Sequence, residues 1–272
     1  MPHQPITELP SLTFWIASLY LFWKGYVKKE SRYYLWICGL ITSLGVLMRF
    51  PAGIIAVAYL IFLILTEKLK FLKNKNLWIG AVIFLIILLP YVIFSLKSYG
   101  NIPILSAGKV YPHKNLLSDY LTLFPSYFLS PIPILKDMIN INILHFTLLA
   151  FIIGLFYKIF MLAIGFNLIK ESKSLKRDLL ILLSIILPFI YFTLYFGIFD
   201  DRYPIFMFAG AFIIVSEVFY NLYKIVSKYN KHIAFAVILI IMAISVYAQL
   251  DLSSDKIKEK LNSYQELKAA NI

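Results

Sequence analysis

Three short strings place a charged residue two positions ahead of a proline: Glu8-Leu9-Pro10, Arg49-Phe50-Pro51 and Arg202-Tyr203-Pro204. Proline is favoured in the first turn of a helix, where its missing N–H would have no partner anyway, so each string reads as a helix start. A helix start presents unpaired N–H groups and the positive end of the dipole, which favour an anion. An arginine beside it adds a forked donor that matches phosphate oxygens. The chemistry suggested is phosphate binding, with Arg49, Arg202 and Tyr203 as its candidates. Arginine is rare here, four against 22 lysines, and two of the four sit in these strings. The plainer alternative is that each arginine snorkels to a headgroup or pairs with Asp200, Asp201 or Glu8. Asp200 and Asp201 either orient Arg202 or ligate a hard divalent cation. Glu8 is the candidate base for an acceptor hydroxyl, against the alternative of a simple helix-start charge. His113 and Lys114 are candidates for ligand contact from a loop. No metal-ligand spacing joins the four histidines, and the single cysteine, Cys38, excludes a disulfide framework. No Walker loop, dinucleotide fingerprint or Ser-His-Asp string accompanies them, which removes support from ATP-driven transport and common soluble chemistries.

The elements that must position these residues are membrane spans. The chain is 61% hydrophobic, 17% aromatic and only 15% charged. That balance excludes a soluble globular enzyme. Apolar runs long enough to cross about 30 Å of hydrocarbon fall at about 11–27, 33–48, 51–66, 77–96, 143–169, 179–198, 204–223 and 232–249. The expected fold is therefore all-α, a polytopic transmembrane bundle of about eight spans. Four connectors are rich in lysine: Lys28, Lys29 and Arg32; Lys68, Lys70, Lys73 and Lys75; Lys170, Lys173, Lys176 and Arg177; and Lys224, Lys228 and Lys231. If the spans alternate, all four lie on one side, which the positive-inside rule makes the cytoplasm. More than half of the basic residues behind the net charge of +12 are thereby a topology signal, and no nucleic-acid partner is needed to explain them.

The three proline-headed helices then start outside. So does the segment of about 97–142, whose prolines, glycines and aromatic residues suit a re-entrant or interfacial loop rather than a polar linker. Residues 1–249 form the expected transmembrane domain, and 250–272 an amphipathic extracytoplasmic helical tail. Lys158 and Glu217 fall inside apolar runs, where a charge is costly unless paired or beside an aqueous cavity.

Local strings resemble the GT-C superfamily of membrane glycosyltransferases, which includes protein O-mannosyltransferases and aminoarabinose transferases. Thr7-Glu8-Leu9-Pro10-Ser11-Leu12 looks like that family's acidic residue and proline at a helix start, with glutamate where aspartate is usual. The stretch from Cys38-Gly39-Leu40 to Met48-Arg49-Phe50-Pro51 resembles its glycine-containing helix that ends in a basic residue. Asp200-Asp201-Arg202-Tyr203-Pro204 resembles its acidic-Arg-Tyr turn, and Ser263 to Ala270 looks like the helix leading into an extracytoplasmic region. The resemblance, in order across nearly the whole chain, implies a sugar moved from a polyprenyl-phosphate donor at the outer membrane face, with inversion at the anomeric carbon. It also implies an upstream outer loop bearing the principal catalytic aspartate, and the chain begins too late to contain it. The expectation is the later part of such an enzyme, a split-gene product whose partner chain supplies the front helices, or an inactive relative. The expected partners are the bilayer and the lipid-linked sugar, with a divalent cation as the one cofactor to test. The rival expectations are a small-solute permease or channel component, with Lys158 and Glu217 on its pathway, and a noncatalytic membrane protein.

Overall fold

The computed structural model describes residues 8–100, 146–195, 205–237 and 239–240, all of them helices, tight helical turns or short connectors. Helix α1 (Glu8–Phe22) buries Ser11, Trp15, Ser18, Leu19 and Phe22, a stripe at helical spacing, and ends in a π turn (Trp23–Val27). Helix α2 (Tyr33–Met48) packs antiparallel against it through small residues: Gly45 lies where a Cβ would meet Phe14 Cβ at 3.2 Å. Without a hydrophobic drive between helices inside a bilayer, such close backbone approach supplies the packing. A 3-10 turn (Phe50–Gly53) runs into α3 (Ile54–Glu67), which ends on Lys68 at φ 54°. After a 3-10 turn (Lys70–Lys73), Asn74 caps α4 (Lys75–Tyr99) by accepting from the N–H groups of Asn76 and Leu77 at 3.1 and 3.4 Å. Gly100, at φ 67°, stops that helix in the left-handed region.

Helix α5 (Phe146–Gly165) is followed by α6 (Lys173–Ile190), capped by Ser172 and continued as a π turn (Tyr191–Tyr195). Helix α7 (Ile205–Val226) precedes a further helix over 231–237, where Asn230 accepts from His232 N–H at 2.8 Å. The chain divides into two compact units, one of residues 1–121 and 155–214, the other of 122–154 and 215–272. The second contributes the start of α5, the end of α7 and the helix over 231–237, with Ala150, Phe151, Val215 and Ala234 buried.

Among the described residues, five helical segments are long and apolar enough to cross a membrane: Phe50–Glu67, Lys75–Ser98, Leu148–Leu168, Lys173–Leu194 and Ala209–Val226. Tyr33–Met48 is a shorter apolar helix, and the expected first span is 15 α-helical residues extended by its π turn. The eighth expected span is described only to residue 240, while the loop beyond Gly100 and the 250–272 tail lie outside the described residues. Among the described residues large apolar side chains face outward, with Leu85, Ile86, Phe156 and Ile164 all more than half exposed. Such a belt needs lipid around it. The protein is thus a multi-pass, all-helical membrane protein.

Helix α4 meets α2 glycine to glycine. A Cβ on Gly39 would stand 2.1 Å from the Gly80 carbonyl oxygen, and one on Gly80 would stand 2.5 Å from that of Leu35. Backbone cannot give way as a side-chain tip can, so the helices must part. Gly80→Ala should cost about 1–3 kcal/mol, read as a lowered unfolding midpoint in detergent. An unchanged midpoint would mean that the two backbones do not touch there.

Candidate functional site

At one end of the first unit the basic connectors gather. Lys176 Nζ lies 3.1 Å from Glu67 Oε1, tying the start of α6 to the end of α3, and α6 also packs on the π turn that ends α1. Cations in the first turn of α6 run against the helix dipole, and Glu67 and Asp178 offset that cost. Lys24 Nζ sits 2.7 Å from Glu30, and this hydrogen-bonded ammonium holds the exposed Glu30 carboxyl below its ordinary range. The clasp therefore contributes above the usual carboxylate range and is lost as pH falls through the lowered value. Three of the four lysine-rich connectors thus share one end of this unit.

The opposite end carries the helix starts that the sequence singles out. Glu8 opens α1, three residues ahead of Ser11, whose hydroxyl donates to the Gly45 carbonyl at 3.3 Å. The Arg49 N–H donates to that same carbonyl at 2.9 Å. One oxygen therefore ties the first turns of α1 to the Arg49 break. Arg49 is half-buried with an extended backbone, φ −150° and ψ 118°, and its carbonyl accepts from Ala52 N–H at 3.0 Å to close the turn around Pro51. The extended residue is what separates two short spans and turns the chain back into the bundle. The start of α7 packs against the middle of α1: Phe206, fully buried, meets Trp15 with ring centroids 5.2 Å apart. Trp15 is itself buried, and its indole N–H has no acceptor among the described residues. The starts of α1 and of the Phe50–Glu67 span thus meet beside Arg49, while the start of α7 lies against the middle of α1. Asp200, Asp201, Arg202 and Tyr203, which lead into α7, lie outside the described residues, as do His113 and Lys114. Among the described residues no group of three His, Cys, Asp or Glu is placed to hold a metal ion.

Two interior arrangements go beyond what the sequence places: the partner of Lys158 and a chain of hydroxyls. Lys158 Nζ donates to Asp178 Oδ1 at 2.5 Å with both side chains buried, and the half-exposed Arg177 reaches the same oxygen at 3.2 Å. Lys158 is therefore matched by a carboxylate from the next helix. Their comparable depth on either side of the connector between α5 and α6 was the available signal, since an antiparallel hairpin brings such positions together. The second arrangement is a hydroxyl chain in the core of α1 to α3. Thr42 donates to the Cys38 carbonyl at 2.7 Å, which leaves Ser18 to donate to Thr42 at 2.7 Å and Tyr59 to donate to Ser18. Every hydroxyl is satisfied, as burial demands. Glu217, in the second unit, is half-buried.

Neither curated proteins nor solved structures give a match to the chain. A family model does match, over residues 4–94. That range holds Glu8, Arg49, the hydroxyl chain and the glycine contact, and ends before Asp200-Asp201-Arg202 and Ser263 to Ala270. From α1 through most of α4, the protein is similar to the dolichyl-phosphate-mannose-protein mannosyltransferase family.

Proposed function

We propose that the chain is a membrane glycosyltransferase, or the later part of one, that moves a sugar from a polyprenyl-phosphate donor to an acceptor at the extracytoplasmic face. The observation that carries this reading is the meeting of two helix starts, those of α1 and of the Phe50–Glu67 span, beside Arg49 at the end opposite three lysine-rich connectors. The positive-inside rule assigns the lysine-rich end to the cytoplasm and hence Arg49 to the outside. The family match over residues 4–94 supports the donor class.

In this reading Arg49, Arg202 and Tyr203 hold the donor phosphate, and Asp200 and Asp201 orient the Arg202 guanidinium or share a divalent cation. Glu8 takes the proton of the acceptor hydroxyl as its oxygen attacks the anomeric carbon. The bond from that carbon to the phosphate oxygen breaks, and polyprenyl phosphate leaves with its charge met by the arginines. Attack from the face opposite the leaving group inverts the centre. The loop of 97–142, with His113 and Lys114, covers the donor. The permease reading draws no support from Lys158, whose charge is matched by Asp178.

The test is transfer of radiolabelled sugar from polyprenyl-phosphate donors in membranes that contain this chain, alone and with any neighbouring polypeptide that supplies front helices. Transfer that depends on the chain supports the reading. If neither preparation transfers sugar and the purified chain binds no polyprenyl-phosphate sugar, the reading is wrong.

A further inference from the structure

Helices α3 and α4 follow one another in sequence, yet α4 lies along α2 while α3 packs mainly on α6, so that α3 and α4 barely touch each other. A cavity of about 220 Å³ fills the cleft between them. Its floor is Leu35, Cys38, Gly39 and Thr42 of α2, and its walls include Ala56, Leu60 and Leu63 of α3 and Trp78, Ala81 and Phe84 of α4. Phe71, buried in the lysine-rich connector, closes one end. Leu60 and Trp78 are about half exposed, so the cleft opens sideways toward lipid.

Shape and chemistry narrow the occupant. From Trp78 to Phe84, or Ala56 to Leu63, the cleft runs about 10 Å at the helical rise of 1.5 Å per residue. Its volume over that length gives a cross-section on the order of 20 Å², the width of one hydrocarbon chain. The lining is almost wholly apolar, which suits a hydrocarbon chain and not a nucleotide or a sugar headgroup. The hydroxyls that reach its floor, Thr42 and Tyr59, are already spent on Cys38 and Ser18. They offer nothing to a polar guest. At the mouth, Trp78 is fixed by its indole N–H donating to the Leu72 carbonyl at 2.8 Å. Lys68, Lys70, Lys73 and Lys75, all exposed, flank that connector and supply positive charge at headgroup depth.

We propose that the cleft between α3 and α4 is a binding site for one acyl chain of an anionic phospholipid from the leaflet on the lysine-rich side, with its phosphate held by the connector lysines. The site lies toward the end opposite Arg49 and does not depend on the transferase reading.

The test uses the full chain purified in detergent, incubated with an equimolar mixture of phosphatidylglycerol and phosphatidylcholine, and weighed by native mass spectrometry. The expected result is one retained phospholipid, with phosphatidylglycerol favoured about fivefold. Ala81→Phe, which fills the cleft, should abolish retention, and Lys70→Gln with Lys73→Gln should remove the preference for the anionic lipid. A second measurement stands even if Ala81→Phe does not fold. In bilayers of the two lipids, phosphatidylglycerol brominated on its acyl chain should quench the fluorescence difference between wild type and Trp78→Phe more than brominated phosphatidylcholine does. Equal quenching by the two lipids or equal retention by wild type would overturn the proposal.

Discussion

Arg49→Ala is expected to lower sugar transfer by roughly 100-fold or more, the usual effect of removing one donor that meets charge developing in a transition state. The leaving phosphate gains negative charge as the glycosidic bond breaks, so an arginine beside it contributes most at that moment. The backbone fixes where Arg49 stands: its N–H and the Ser11 hydroxyl share the Gly45 carbonyl, which holds the residue against the first turns of α1. Arg49→Lys should retain part of the activity, because an ammonium supplies the charge without the planar fork. The measurement is kcat/KM for transfer, alongside the unfolding midpoint of each variant. Full activity in Arg49→Ala would remove Arg49 from the phosphate site; lost activity with a collapsed midpoint would assign it a structural role instead.

The second large effect concerns stability. Asp178→Ala removes the carboxylate shared by Lys158 and Arg177. Breaking a buried ion pair from one side costs about 3–5 kcal/mol, so the variant should unfold far below wild type in detergent. Replacing both members, Lys158→Met with Asp178→Leu, should recover most of that loss, because two apolar side chains of similar size carry no desolvation cost. A double variant no better than Asp178→Ala would mean that Lys158 depends on the carboxylate for something other than charge balance. Arg177 is half exposed and solvated, so Arg177→Ala should change the midpoint little.

The bundle was legible because a bilayer imposes a length and a polarity that local sequence must satisfy. The runs at 51–66 and 77–96 became Phe50–Glu67 and Lys75–Ser98 with small changes at their ends. The helix starts were legible for a similar reason: proline and a flanking charge act within one turn, and Arg49-Phe50-Pro51 is a break in the structure as in the string. What could not be read depends on which faces meet. Ser18, Thr42 and Tyr59 look like isolated polar residues in three different spans, and only the packing of α1, α2 and α3 makes them one chain of hydroxyls. Lys158 read as an unexplained charge because its partner belongs to the next helix. The cleft was invisible for the opposite cause, since it consists of contacts that α3 and α4 do not make.

The length of α2 bears on where a donor would have to travel. Its 16 residues rise about 24 Å, short of the roughly 30 Å of hydrocarbon in a typical bilayer. With its Arg32 end held at one headgroup layer, the Arg49 end stops about 6 Å beneath the other. The membrane must pucker inward around that end, or admit water to it. A phosphate drawn down to Arg49 would enter a depression already made by the short helix, beside a half-buried guanidinium whose protein flank strengthens the attraction over that in open water.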